Sequence, residues 1–396
     1  MRNKAFLFAT QVAVLLSFSS AVFADEEKDE KKDLSTAYQF TVEVEVERTP
    51  VKNQYRTGTC WCFATISFLE SELLRTGKGE FDLSEMFVVR NTYPQKADNF
   101  LRLHGTANFS QGGQAHDVMN CIRRHGLIPE SSYSGMEIGE SRHNHGEMVA
   151  VLTAMMDAVL MRKGKRVTPR WSDALDAVLD VYLGQNPEVF TFDGKEYTPK
   201  RFNETVLQLD PDDYVELTSY SHHEFYTQYR LELPDNWDYN GEYFNVPIDD
   251  LERIIEYALK NGHSVVWDGD VSEEEFNSKK MGYAVIPETD WEDRLHEEQE
   301  LDKVFISPVK EKVITQALRQ MTMDNFTTTD DHLMHIVGLA RDQEGTRFYL
   351  TKNSSGTDRK NAGYMYMSQA YVRLKTTAIL VNKAAIPEDI GSKLQF

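Results

Sequence analysis

The sequence predicts an α+β fold with two lobes, a helical front and an antiparallel β back. Three observations carry this. Cys60 opens a run in which Phe63, Ile66, Leu69 and Leu73 recur at helical spacing. Residues 335–340, 347–352, 364–367 and 377–381 read instead as short strands separated by Gly, Asp and Asn turns, as in an antiparallel meander. Between front and back, residues about 136–246 read as a mainly helical insertion.

The elements follow in chain order. The helix from Cys60 stops at Gly77, and Asp82-Leu-Ser-Glu85 starts a second one through Met86 and Val89. Gln111-Gly112-Gly113 breaks the pattern before a third helix at about 115–124. Gly126 closes that helix and Pro129 follows. From about 148 to 208 the pattern stays mostly helical. Thr168-Pro169 and Thr198-Pro199 each read as an N-cap with Pro at the first helical position, and Leu175, Val178, Leu179 and Tyr182 form an apolar face between them. Pro247-Ile-Asp-Asp-Leu251 begins a further helix with Ile254, Ile255, Ala258 and Leu259 inward, ended by Gly262. A short strand follows at 264–267.

The chain has 396 residues. Arg2 and Lys4 precede an apolar run from Ala5 to about Phe18, and Ala21-Val-Phe-Ala24 offers small residues where a signal peptidase reads. Residues 1–24 are therefore expected to be a secretory signal peptide, and the protein to be exported, periplasmic or secreted. The run is short for a membrane span, so no membrane association is expected after cleavage. The mixed-charge stretch behind it predicts a disordered leader over 25–37, which leaves one large domain over 38–396. The formal net charge is −20, and no Lys/Arg cluster interleaves with aromatics. A nucleic-acid partner is excluded on that ground. The cysteines are Cys60, Cys62 and Cys121. An odd count leaves at least one thiol free, and a Cys62–Cys121 bridge stays open. His222-His223 and Asp268-Gly-Asp270 lack a third ligand in sequence, so no metal and no cofactor is expected.

The chemistry points to Gln54-Tyr-Arg-Thr-Gly-Thr-Cys60-Trp61. A thiol at a helix N-terminus meets unpaired N–H groups and the positive end of the macrodipole, which favour its thiolate. A glutamine six residues earlier is placed to donate to an oxyanion on an attacked carbonyl. A cysteine nucleophile needs a base and a group that orients the base. Asp331-His332-Leu-Met-His335 and Asn353-Ser-Ser-Gly356 supply both, because a histidine at one strand's start and an asparagine at the next strand's end lie side by side in a hairpin. His332 and His335, three positions apart, face opposite sides of a strand. A Cys⁻/His⁺ pair is the expected resting state, each charge favouring the other.

These residues resemble the bleomycin hydrolase / aminopeptidase C family of papain-like cysteine peptidases. The matches run in order: Asn53-Gln54 with Gly58-Thr-Cys60-Trp61; Gln111-Gly-Gly-Gln-Ala-His-Asp-Val-Met; His125-Gly-Leu-Ile-Pro129; Tyr243-Phe-Asn-Val-Pro-Ile-Asp249; Val265-Val-Trp; Asp331-His332-Leu-Met; Asn353-Ser354; and Gly363-Tyr-Met-Tyr-Met367. From Cys60 to His332 is 272 residues, about 120–140 more than the usual papain-type spacing, and the helical insertion accounts for the excess.

The resemblance implies a two-lobed papain-like fold, with a helical lobe and an antiparallel β-barrel lobe. It implies Cys60 as nucleophile, His332 as base, Asn353 as its orienter and Gln54 as oxyanion donor. Gly112, Gly113 and Trp61 would bind peptide substrate, the glycines pairing with its backbone. It further implies an aminopeptidase whose C-terminal tail lies in the cleft, in a homo-oligomer, often a hexamer. The alternatives are an endopeptidase with an open cleft and a non-catalytic binding protein on the same fold. The chain departs from the family at Ser355, where a tryptophan usually shields the His–Asn bond, and at Thr59, where a basic residue is usual. Its ending at Ser392-Lys-Leu-Gln-Phe396 looks shorter than the family tail.

Overall fold

The structure is a computed structural model, and it describes residues 37–164, 166–289 and 307–396. The expected signal peptide, and the leader through residue 36, lie outside the described residues.

Helix α1 (Cys60–Arg75) runs through the middle of the protein, every residue from Cys60 to Leu73 being buried. Phe63, Ile66, Phe68, Leu69 and Leu73 point to several sides of it, so it needs neighbours all round. Helices α2 (Glu85–Arg102) and α3 (Ala115–His125) supply one side. Helices α4 (Gly146–Met161) and α5 (Arg170–Leu183) stack outside α2, and the one-turn helix α6 (Pro199–Phe202) touches α3.

The other side of α1 is a sheet. Its strands are β1 (Thr41–Glu45), β4 (Tyr214–Thr218), β5 (Gln228–Tyr229), β6 (Tyr243–Asn245), β7 (Val265–Gly269), β8 (Phe276–Asn277), β9 (Tyr283–Ala284), β10 (His332–Arg341), β11 (Arg347–Lys352), β12 (Tyr364–Ser368) and β13 (Thr376–Asn382), while β2 (Phe190–Phe192) and β3 (Lys195–Tyr197) form a separate hairpin. The order is β5-β6-β4-β13-β7-β10-β11-β12-β9-β8, with β1 beside the later half of β10.

Residue parity divides the core in two. Val266, Leu333 and Leu380 face α1, while Val265, Trp267, Met334, Ile379 and Val381 face helix α7 (Ile248–Lys260) on the opposite side. Ile390 and Leu394 of the C-terminal helix, which follows the helices Gln316–Asp324 and Gln369–Lys375, pack on the α7 side as well.

Three expectations change. The strand expected at 335–340 begins at His332 and reaches Arg341. The expected meander holds for β10, β11 and β12, but β13 does not follow β12. The free edge of β12 is taken by β9, and the helix Gln369–Lys375 carries the chain over to a place between β7 and β4. The interval 136–246 is helical only in part. Phe190-Thr-Phe and Lys195-Glu-Tyr form a hairpin around Asp193-Gly194, both at positive φ, and β4 and β6 join the main sheet.

Candidate active site

The N-terminus of α1 and the first residue of β10 meet at one end of the sheet. The backbone of Leu333 lies close enough to the Cys60 sulfur to favour its thiolate, so His332 starts its strand near Cys60. Cys60 is 9% exposed. As a first-turn residue its N–H has no acceptor one turn earlier. The N-cap, Thr59, makes no capping bond, because its hydroxyl pairs with that of Thr57 at 2.6 Å. Cys62 and Phe63 give their N–H groups to Thr59 O at 3.0 and 3.2 Å, so it is the Cys60 N–H that the cap leaves unengaged.

His332 and Asn353 meet as the sequence predicts. His332 Nε2 lies 2.9 Å from Asn353 Oδ1, and the Ser354 N–H donates to the same oxygen at 2.7 Å. An amide oxygen only accepts, so Nε2 carries the proton and Nδ1 of neutral His332 is left as an acceptor. His335 stands elsewhere. It is fully buried and pairs its Nδ1 with Ser67 Oγ at 2.9 Å, two turns along α1 from Cys60.

Gln54 pairs with the strand end that carries Asn353. Its N–H donates to Ser354 O at 2.9 Å, and its Oε1 accepts from Ser354 Oγ at 2.5 Å. Its Nε2 donates to Thr57 O at 2.7 Å, which leaves a second N–H on that nitrogen for the oxyanion. With Ser355 bridged to Asn53, Asn353 is 6% exposed, but the His–Asn bond is only part-buried and borders a cleft.

The resting electrostatics differ from the expected ion pair. Burial pushes the Cys60 thiol up to about 12; the Leu333 backbone opposes this, and Asp268, Asp330 and Asp235 add to it. Burial also lowers His332, against the bond from Asn353. This environment therefore favours a neutral thiol and a neutral imidazole. The physical reason is that both groups are desolvated and the sulfur faces carboxylates that the sequence does not place there.

Trp61 and the glycine pair form one unit. The Trp61 ring is 1% exposed, and its Nε1 donates to Gln111 O at 3.0 Å, while Gly58 N–H donates to Gln111 Oε1 at 2.9 Å. Gln111 thereby clips Gly112 and Gly113 to the head of α1. Gly112 is not open: a Cβ there would lie 1.8 Å from Asp235 Oδ2, so the 231–240 segment covers it with a carboxylate. Asp235 is held by Asn108 Nδ2 at 2.8 Å and Ser110 Oγ at 3.5 Å. The next residue, Gln114, donates to Asp330 Oδ2 at 2.9 Å.

On the other side of His332 the surface opens. A cleft of about 1230 Å³ is walled by Gln54, Arg56, Arg142, His332 and Asn353, among others. The 388–396 segment does not approach it in any described contact. Phe396 packs on Phe244, and Asp389 pairs with Arg253, on the α7 side of the sheet.

Sequence reasoning quoted Gln111 and Ser354 in motifs without giving them a role, and did not name Asp235 or Asp330. Asp268 drew notice only as half of a metal motif, but Asp270 turns instead to Lys375, Ser272 and Thr329. All three cysteines are free and buried, so the Cys62–Cys121 bridge is not formed, and Cys62 Sγ bonds Glu85 O instead. Glu232 joins His222 and His223, a third side chain that the sequence did not offer.

The profile of the peptidase C1-like family matches residues 9–395. Aminopeptidase G of Lactobacillus delbrueckii subsp. lactis is 23% identical, over 86% of this chain and 82% of that protein. Aminopeptidase C of Listeria innocua is 23% identical (87% and 83%), and bleomycin hydrolase of Gallus gallus 22% (89% and 84%). A crystal structure of PepW from Lactobacillus rhamnosis superposes with a TM-score of 0.68 at 18% identity, over 90% of this chain and 84% of that one. A match over nearly the whole length, on a fold that brings together a thiol, an imidazole and an amide, makes this chain a member of the peptidase C1-like family and a cysteine-type peptidase.

Proposed function

We propose that the protein is an exported cysteine aminopeptidase working through Cys60, His332 and Asn353. His332 Nδ1 takes the thiol proton as Sγ attacks the carbonyl carbon, and Asn353 holds the ring by its Nε2–H. The oxyanion rests between the second Gln54 Nε2–H and the Cys60 N–H. His332 returns the proton to the leaving amine as the C–N bond breaks. Water, deprotonated by the same ring, then attacks the thioester and frees the acid and the thiol.

The observation that carries the exopeptidase reading is the asymmetry of the cleft. On the leaving-group side, past His332 and Asn353, there is room for an extended peptide. On the acyl side, Asp235 lies over Gly112 and leaves little room for residues before the scissile bond. Relatives named as aminopeptidases support the same reading. The position of residues 388–396 on the α7 side, away from the cleft, favours the endopeptidase alternative instead.

Aminoacyl-coumarin substrates with free and acetylated amino groups separate the two. The free substrates should be cleaved far faster, and Cys60→Ala should cut turnover by about 10⁵-fold. Preference for the acetylated substrate would establish the endopeptidase; turnover retained in Cys60→Ala would sink the mechanism.

A further inference from the structure

We propose that Asp235, Asp268 and Asp330 form an anchor for the free α-ammonium group of the substrate, on the acyl side of Cys60. The inference rests on the peptidase reading above and adds to it the residues that select a free N-terminus.

The three carboxylates come from distant parts of the chain and converge on one place. Asp235 lies against Gly112, and Asp330 is bonded by Gln114, so they flank the segment clipped to the head of α1. Asp268 on β7 is the register partner of Leu333, whose backbone acts on the Cys60 sulfur. It shares the parity of Val266 and so points toward α1. All three act electrostatically on the thiol.

An acidic cluster alone does not make a site. The second observation is Asp268 itself, 2% exposed, with neither oxygen in a well-formed hydrogen bond. The polar groups beside it are Asp330 and Thr377. A buried carboxylate without donors is costly unless a partner arrives. The neighbouring cations do not fill that role. Lys96 gives its ammonium to the carbonyls of Ser110 and Gly112, and Lys375 gives its own to Asp270 and Glu273.

A primary ammonium has three donors in a compact head, which suits three converging carboxylates. Its placement fits the reaction: when the scissile carbonyl is at Sγ, the amine of the same residue lies one backbone step toward Gly112. Its charge also offsets the acids that oppose thiolate formation, so a substrate with a free amine would assist its own attack.

The test uses the full-length Cys60→Ala protein and calorimetric binding of three ligands: a dipeptide amide with a free N-terminus, its N-acetyl form, and an N-acetyl peptide carrying lysine. The free dipeptide should bind at least about tenfold tighter than the acetylated one. That preference should shrink in the isosteric variants Asp235→Asn, Asp268→Asn and Asp330→Asn made in the same background. Equal binding of free and acetylated peptides in Cys60→Ala, which needs no aspartate variant, would overturn the anchor while leaving the peptidase reading intact. Undiminished preference in all three variants would overturn it too. Tight binding of the acetylated lysyl peptide would reassign the cluster to a basic side chain and also overturn the proposal. A wild-type protein that cleaves no peptide, with a Cys60→Ala form that binds none, would overturn the peptidase reading itself.

Discussion

Two sets of carboxylates lie at opposite ends of α1, and they behave in opposite ways. Toward its C-terminal end, Glu70 and Glu72 are 1% and 2% exposed. Glu72 accepts from Arg75 Nε and Nη2 and from Asn382 Nδ2, each at 2.8 Å, and has His263 at 3.3 Å. Glu70 accepts from Thr49 Oγ1 at 2.5 Å and the Leu83 N–H at 3.0 Å, with Lys52 at 3.4 Å. Burial raises the Glu72 pKa, but the bonds from His263 and Arg75 outweigh it and bring the group to about 2. At the N-terminal end, burial and the charge of Asp330 push Asp268 well up, while burial and the charge of Asp235 raise Asp330 to about 7. The same side-chain chemistry holds the fold where donors surround it, and at Asp268, whose oxygens have none, stands ready for a cation.

The largest test of this contrast is Glu72→Ala. It leaves Arg75, His263 and Asn382 without their acceptor and should cost about 3–5 kcal/mol in urea unfolding. Because the folded pKa lies below the unfolded one, the contribution of Glu72 is present above the unfolded value and lost as pH falls toward 2. A loss below about 0.5 kcal/mol would break the comparison.

Asp268→Asn should do the reverse. A folded pKa above the unfolded one means that wild-type stability falls as pH rises past the unfolded value. The asparagine variant escapes that loss, so at pH 8 it should be as stable as the wild type or more so, by about 1 kcal/mol. Thermal melts at pH 5 and 8 measure this, and destabilisation as large as that of Glu72→Ala would remove the distinction.

The smallest effect concerns the thiol. Asp235→Asn removes a negative neighbour, lowers the Cys60 pKa and should speed iodoacetamide alkylation at pH 8 by about threefold. An unchanged or slower rate would mean that Asp235 does not act on the sulfur.

Much of the candidate site was legible because it is written locally. Gln54, Gly58 and Cys60 sit within one turn and one helix start, and Asn353 follows its strand immediately. Choosing His332 over His335 needed only strand parity and the ordered motifs. The hairpin at 190–197 was also legible, through Asp193-Gly194, but a helical reading of the surrounding stretch overrode it. The placement of β13 was not, because edge availability depends on which strands have already paired.

What the sequence determined by itself is the chemistry at the head of α1: a thiol at a helix start, a glutamine before it, and a histidine and an amide on adjoining strands. Periodicity and short-range spacing are enough for that. Only the tertiary structure decided the surroundings of the thiol, since Asp235, Asp268 and Asp330 lie far apart in the chain and meet through sheet register and a covering loop. Burial and carboxylates then set the charge state of Cys60, and desolvation and through-space charge depend on the packed fold rather than on neighbours in sequence.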